Sequence, residues 1–207
     1  MTTEQDIDPE RLQSELEQIK EAMGLQERYP SAFQLWLLYG ALGVFASFGS
    51  QAVVTFELSS WGHALSWGGF YTLGYLYEWF ALDSYETTNA ETKPNVRAQI
   101  AGVVGLLAAT VAITSPFLGE LTAVESQAML FALIIAAIGA IYIVQAASLK
   151  SYRIRARDRY AFYLGGLWML VYGAAMANLG ILQEWGYAIF GILFAAHGLV
   201  SYLALRT

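Results

Sequence analysis

The chain has 207 residues, 57% of them hydrophobic and only 14% charged, and 17 acidic against 11 basic side chains leave a net charge of −6. That balance excludes a soluble globule with a large core, and the acidic excess argues against nucleic acid as a partner, since counterion release needs clustered cations. The absence of cysteine excludes disulfides, thiolate metal sites and cysteine nucleophiles.

Residues 1–30 form an acidic cytoplasmic tail. The tail predicts one helix over 9–23: Asp8 suits the N-cap, Pro9 the first helical position and Gly24 the residue just past the end. Leu12, Leu16, Ile19 and Met23 fall at i, i+4, i+7 and i+11, a narrow apolar stripe on a charged helix. An acidic helix binds anionic lipid poorly, so the stripe is expected to pair with another protein helix or a second copy of itself. Folding back onto its own bundle is the equal alternative. Tyr29-Pro30 ends the helix, and with no apolar stretch before it the first span is expected to act as an uncleaved targeting signal.

Residues 31–207 predict an all-α polytopic membrane domain of six transmembrane helices, at 33–56, 61–82, 98–118, 126–149, 160–179 and 183–205. Each is long enough to cross about 30 Å of hydrocarbon. The short connections predict three hairpins. Trp61-Gly-His-Ala opens span two much as Trp185-Gly-Tyr-Ala opens span six, and Leu35-Trp36 through Gly40 in span one parallels Leu167-Trp168 through Gly173 in span five. The first and last hairpins thus read as related copies. Pro116 stands near the outer end of span three, where a kink is tolerated. Small residues four apart, including Ala132, Ala136, Ala140, Gly173 and Ala177, predict close helix packing.

Every Lys and Arg falls on one side of this arrangement. Arg11, Lys20 and Arg28 precede span one, Lys93 and Arg97 lie between two and three, five lie between four and five, and Arg206 follows span six. The other connections carry Glu57, Glu120, Glu125 and Glu184. Basic residues accumulate inside, so both termini are expected in the cytoplasm and the protein in the plasma membrane. The arginines between spans four and five, Arg153, Arg155, Arg157 and Arg159, alternate along a loop. They read first as the topology anchor and second as a lipid-headgroup contact. An acidic, lysine-poor, cysteine-free composition fits a halophilic archaeon.

Polar groups inside a bilayer are costly and mark candidate sites. His197, near the midplane of span six, is the foremost ligand or proton-relay candidate, against a structural reading as a neutral ring bonded to a neighbouring helix. Glu78 is the second, close enough to the inner end of span two to snorkel to water. Tyr75 and Tyr172 complete the set. His63, one turn below the outer surface, suits an outward-facing vestibule or simply the interface. No catalytic motif is present, and two histidines without cysteine make a transition-metal site improbable. No cofactor is expected.

The closing segment, Gly186-Tyr-Ala-Ile-Phe190-Gly-Ile-Leu-Phe194-Ala-Ala-His197-Gly198-Leu-Val-Ser-Tyr202, resembles the ending of a group of small, uncharacterised prokaryotic six-span membrane proteins. Those also open with a short acidic helix. The resemblance implies that His197, Gly198 and Tyr202 are recurrent positions of that group, and implies no activity. The expected function is a non-enzymatic scaffold, regulator or partner-binding membrane protein. The alternative is a small-solute transporter or membrane-embedded substrate-binding subunit with a midplane site near His197; an intramembrane enzyme using His197 and Glu78 ranks last.

Overall fold

A computed structural model describes residues 9–22, 32–81, 96–151 and 154–206, and every element among them is helical. In chain order these are α1 (Pro9–Ala22), α2 (Ala32–Thr55), α3 (Trp61–Ala81), α4 (Val96–Leu118), α5 (Ala123–Ser151), α6 (Ala156–Asn178) and α7 (Gly180–Arg206). The all-α expectation holds. The tail helix is α1, while Asp8, Met23 and Gly24 lie outside the described residues.

Four helices are long and apolar enough to cross a membrane: α2 over Leu35–Thr55, α5 over Ala123–Lys150, α6 over Ala156–Asn178 and α7 over Gly180–Leu205. In α4 a shorter apolar stretch, Ala108–Leu118, stands out. Helix α3 carries three tryptophans, three tyrosines, four glycines and His63 and is not among these four.

Local chemistry explains where the helices start and stop. Thr122 and Glu125 form a reciprocal cap: the Thr122 N–H donates to Glu125 Oε2 at 2.9 Å and the Glu125 N–H to Thr122 Oγ1 at 3.3 Å. This pulls the start of α5 back to Ala123, before the expected 126. Helix α2 ends in a Schellman motif. The Leu58 N–H returns to Val53 O at 2.9 Å and the Glu57 N–H to Val54 O at 3.3 Å, with Glu57 at φ 51°. In α4, Pro116 removes one donor, and the Ser115 hydroxyl donates to the Ala112 carbonyl at 3.0 Å in its place. Helix α6 gives way to α7 at a single extended residue, Leu179 (φ −113°, ψ 118°).

The closest packing joins α5 to α6 and α2 to α7; α3 lies on α2, and α4 on α5. Small residues set both tight seams. A methyl group on Gly166 would fall 2.5 Å from Gly139 O, and one on Gly173 2.7 Å from Ala132 O. In the other seam a methyl on Gly198 would fall 2.7 Å from Trp36 O. Side chains of that size cannot enter, so backbone meets backbone. Gln51 pins α2 to α7, donating to Glu184 O at 2.8 Å and accepting from Ala188 N–H at 3.2 Å. Aromatic rings fill the space between the seams. Phe131 stacks on Tyr187 at 4.1 Å, and Phe190 packs against Phe131, Trp168, Tyr172 and Phe194.

Candidate functional site

The helix contacts run α3–α2–α7–α6–α5, with α7 also touching α5. Between α3 and α5 this row leaves a groove of about 1120 Å³, open along one side. Its volume is at the upper end for ligand sites, which run to roughly 1,000 Å³. Helix α3 contributes His63, Ala64, Trp67, Gly68 and Tyr71, and α5 contributes Gln127, Leu130, Phe131, Ile134, Ile135, Ile138 and Tyr142. The floor is Tyr187, Phe190 and Phe194 of α7, and the far end is closed by Leu35, Trp36, Tyr39 and Phe162. Among the described residues no Lys, Arg, Asp or Glu lines it.

Ser60, His63 and Gln127 gather at one end, while Tyr39, Tyr71, Tyr142 and Trp36 place hydroxyls and an indole N–H further along. The His63 ring stacks on Tyr187 at 5.1 Å, and Tyr187 in turn donates to Gln127 O at 3.2 Å. Both His63 nitrogens are buried without a hydrogen-bond partner; the Gln127 side chain is near enough to interact, but not in hydrogen-bonding geometry. His63 and Tyr187 hold equivalent places in the two Trp-Gly-X-Ala openings noted in the sequence. The glycines of those openings do the same job. A methyl on Gly62 would strike Val53, and one on Gly186 would strike Met176, each a side chain of the preceding helix.

His197 lies one layer behind the opposite end. Its ring meets Trp36 edge-on at 5.1 Å and Trp168 at 6.1 Å. It sits within reach of the Ala161 backbone, while its Nε2 is buried without a partner. Room for it comes from Gly165, where a methyl would fall 2.7 Å from Nε2. Trp36 Nε1 and Trp168 Nε1 are likewise buried and unbonded. Tyr172 donates its hydroxyl to Gly186 O at 2.6 Å, so it braces α6 against α7. Tyr75 is exposed on α3. The side chain of Glu78 lies outside the described set, so no His197–Glu78 pairing can be drawn.

The arginine segment differs from the expected loop. Helix α6 begins at Ala156, so Arg157 and Arg159 occupy its first turns and do not share a face with each other at helical spacing. Arg155 pairs with buried Asp158 at 3.3 Å, and Arg159 Nε is buried. Arg157 is exposed, and Arg153 lies outside the described residues. The stripe of α1 is on the surface: Leu12, Leu16 and Ile19 are each about half exposed, at 51%, 53% and 55%. Among the described residues no group of His, Cys, Asp or Glu is placed to hold a metal.

Fold and site together define an all-α protein with four helices long and apolar enough to cross a membrane and a partly open aromatic groove. No family model, curated protein or solved structure matches the chain. The functional reading therefore rests on geometry.

Proposed function

We propose that this chain is a non-enzymatic, partner-binding protein of the plasma membrane, with six spans and both termini in the cytoplasm. Its docking element is α1. The observation that carries this reading is the exposed Leu12–Leu16–Ile19 stripe: an apolar row at i, i+4, i+7 on a charged helix gains stability only by meeting another surface. The Arg11–Glu15 pair at 3.1 Å on the same helix keeps the rest of α1 soluble. Six spans are supported by the length of α3 and α4, 21 and 23 residues, about 32 and 35 Å at the helical rise. The one-sided distribution of Lys and Arg supports the orientation.

Deleting residues 1–28, or placing glutamate at positions 12, 16 and 19 together, tests it. Chemical cross-linking in native membranes is expected to lose its higher-mass species while the amount of inserted protein stays constant. Unchanged cross-linking would sink the docking role. A second reading, a membrane-embedded substrate-binding subunit, is favoured by the groove, whose far wall of Trp36 and Tyr142 covers His197. The apolar lining suits an apolar molecule better than a small polar solute.

A further inference from the structure

The groove has a chemistry of its own, independent of α1. Its walls belong to α5, long and apolar enough to cross a membrane, and to α3, so on the six-span reading proposed above, on which this inference rests, its open side faces hydrocarbon. Along α5 it extends from Gln127 to Tyr142, about 22 Å at 1.5 Å per residue. That is more than half of the roughly 30 Å apolar thickness. The far reaches are mainly ring faces and aliphatic carbons, with tyrosines and the Trp36 indole among them, and the near end is Ser60, His63 and Gln127. A neutral imidazole offers one N–H donor and one acceptor nitrogen, and in His63 both are buried and unsatisfied. Inside a membrane that arrangement is costly until a partner arrives. The partner that fits is long, mainly apolar, uncharged, and able both to donate and to accept hydrogen bonds at the His63 end.

We infer that the groove between α3 and α5 binds an elongated, uncharged lipid whose head carries hydroxyl groups. The head lies between His63 and Gln127, just below Trp61, and the tail runs over Trp67 and Phe131 toward Trp36. Charged headgroups find no counter-ion among the lining residues. A headless hydrocarbon would fill the walls and leave His63 unsatisfied.

Two glycines make the test clean. A Cβ on Gly68, which lines the groove, or on Gly69, which does not, meets nothing within 4 Å, so both positions accept the first carbon of a side chain without a clash. The full chain is placed in phosphatidylcholine nanodiscs with a monoacylglycerol carrying a mid-chain diazirine, photolysed, and its adducts are mapped by mass spectrometry. Adducts are expected at Trp67, Phe131 and Ile134, displaced by unlabelled monoolein. Gly68→Phe should lower them at least about tenfold and Gly69→Phe should leave them. His63→Phe keeps the stacked ring but loses the hydrogen bonds, and should weaken displacement by monoolein about tenfold. Three results overturn the inference. The first is an even spread of adducts over the outer faces of α6 and α7, at Leu164 and Leu199. The second is an unchanged adduct pattern in Gly68→Phe. The third is a disulfide between two copies in the membrane when a cysteine is placed at 68 in this cysteine-free chain, which would put protein rather than lipid in the groove.

Discussion

At the scale of single residues, the glycines separate into two kinds. Gly139, Gly166, Gly173 and Gly198 lie where a methyl group would press on a neighbouring backbone, and backbone cannot swing aside as a long side chain can. Gly166→Ala should therefore force α5 and α6 apart and destabilise the bundle by about 1–3 kcal/mol, the usual cost of overpacking. Gly105, with open space around its Cβ, is the control: Gly105→Ala should stabilise by about 0.5–1 kcal/mol through helix propensity. Denaturant titration in mixed micelles reads both. Spacing alone picked out Gly173, Ala132 and Ala136 as contact residues, while Ala140 of the same series is exposed. The polar end of the groove was half legible, because His63 stood out as an intramembrane polar group. Gln127 carried no such signal, since its role depends on α5 lying across from α3, which local sequence does not encode.

At the scale of elements, the helix ends show how much local sequence encodes. The Thr-x-x-Glu pattern at 122–125 is a cap signature, and hydropathy alone places the start of α5 too late by overlooking it. The end of α2 carries no glycine, yet Glu57 adopts the left-handed conformation that a Schellman motif requires. Glu57→Gly should relieve about 1 kcal/mol of backbone cost, raising the thermal midpoint of the detergent-solubilised protein; an unchanged or lower midpoint would show that the Glu57 side chain contributes as much as the strain removes. The arginine segment was expected as a loop, but a helix beginning at Ala156 turns successive side chains around the axis, and Arg155 pairs with buried Asp158 while itself staying partly exposed. The paired aromatic-glycine motifs were legible and have matching local roles, with Gly62 and Gly186 each seating a side chain of the preceding helix.

At the scale of the whole molecule, a bundle held by small-residue seams encloses an aromatic interior. Composition and the apolar periodicity made the class of protein plain. They did not reveal the groove, because it arises from which helices fail to touch: α3 rests on α2 and α5 on α6, and the gap between them is a property of tertiary arrangement. The central claim is that all six long helices after α1 cross the bilayer, since a laterally open groove between α3 and α5 faces lipid only if α3 spans it. Single cysteines at positions 57 and 93, probed with a membrane-impermeant thiol reagent, decide this directly. The account predicts that position 57 reacts in intact cells and position 93 only in inverted vesicles. Reaction of position 93 from the same side as position 57 would mean that α3 and α4 return without crossing, and would contradict the six-span bundle.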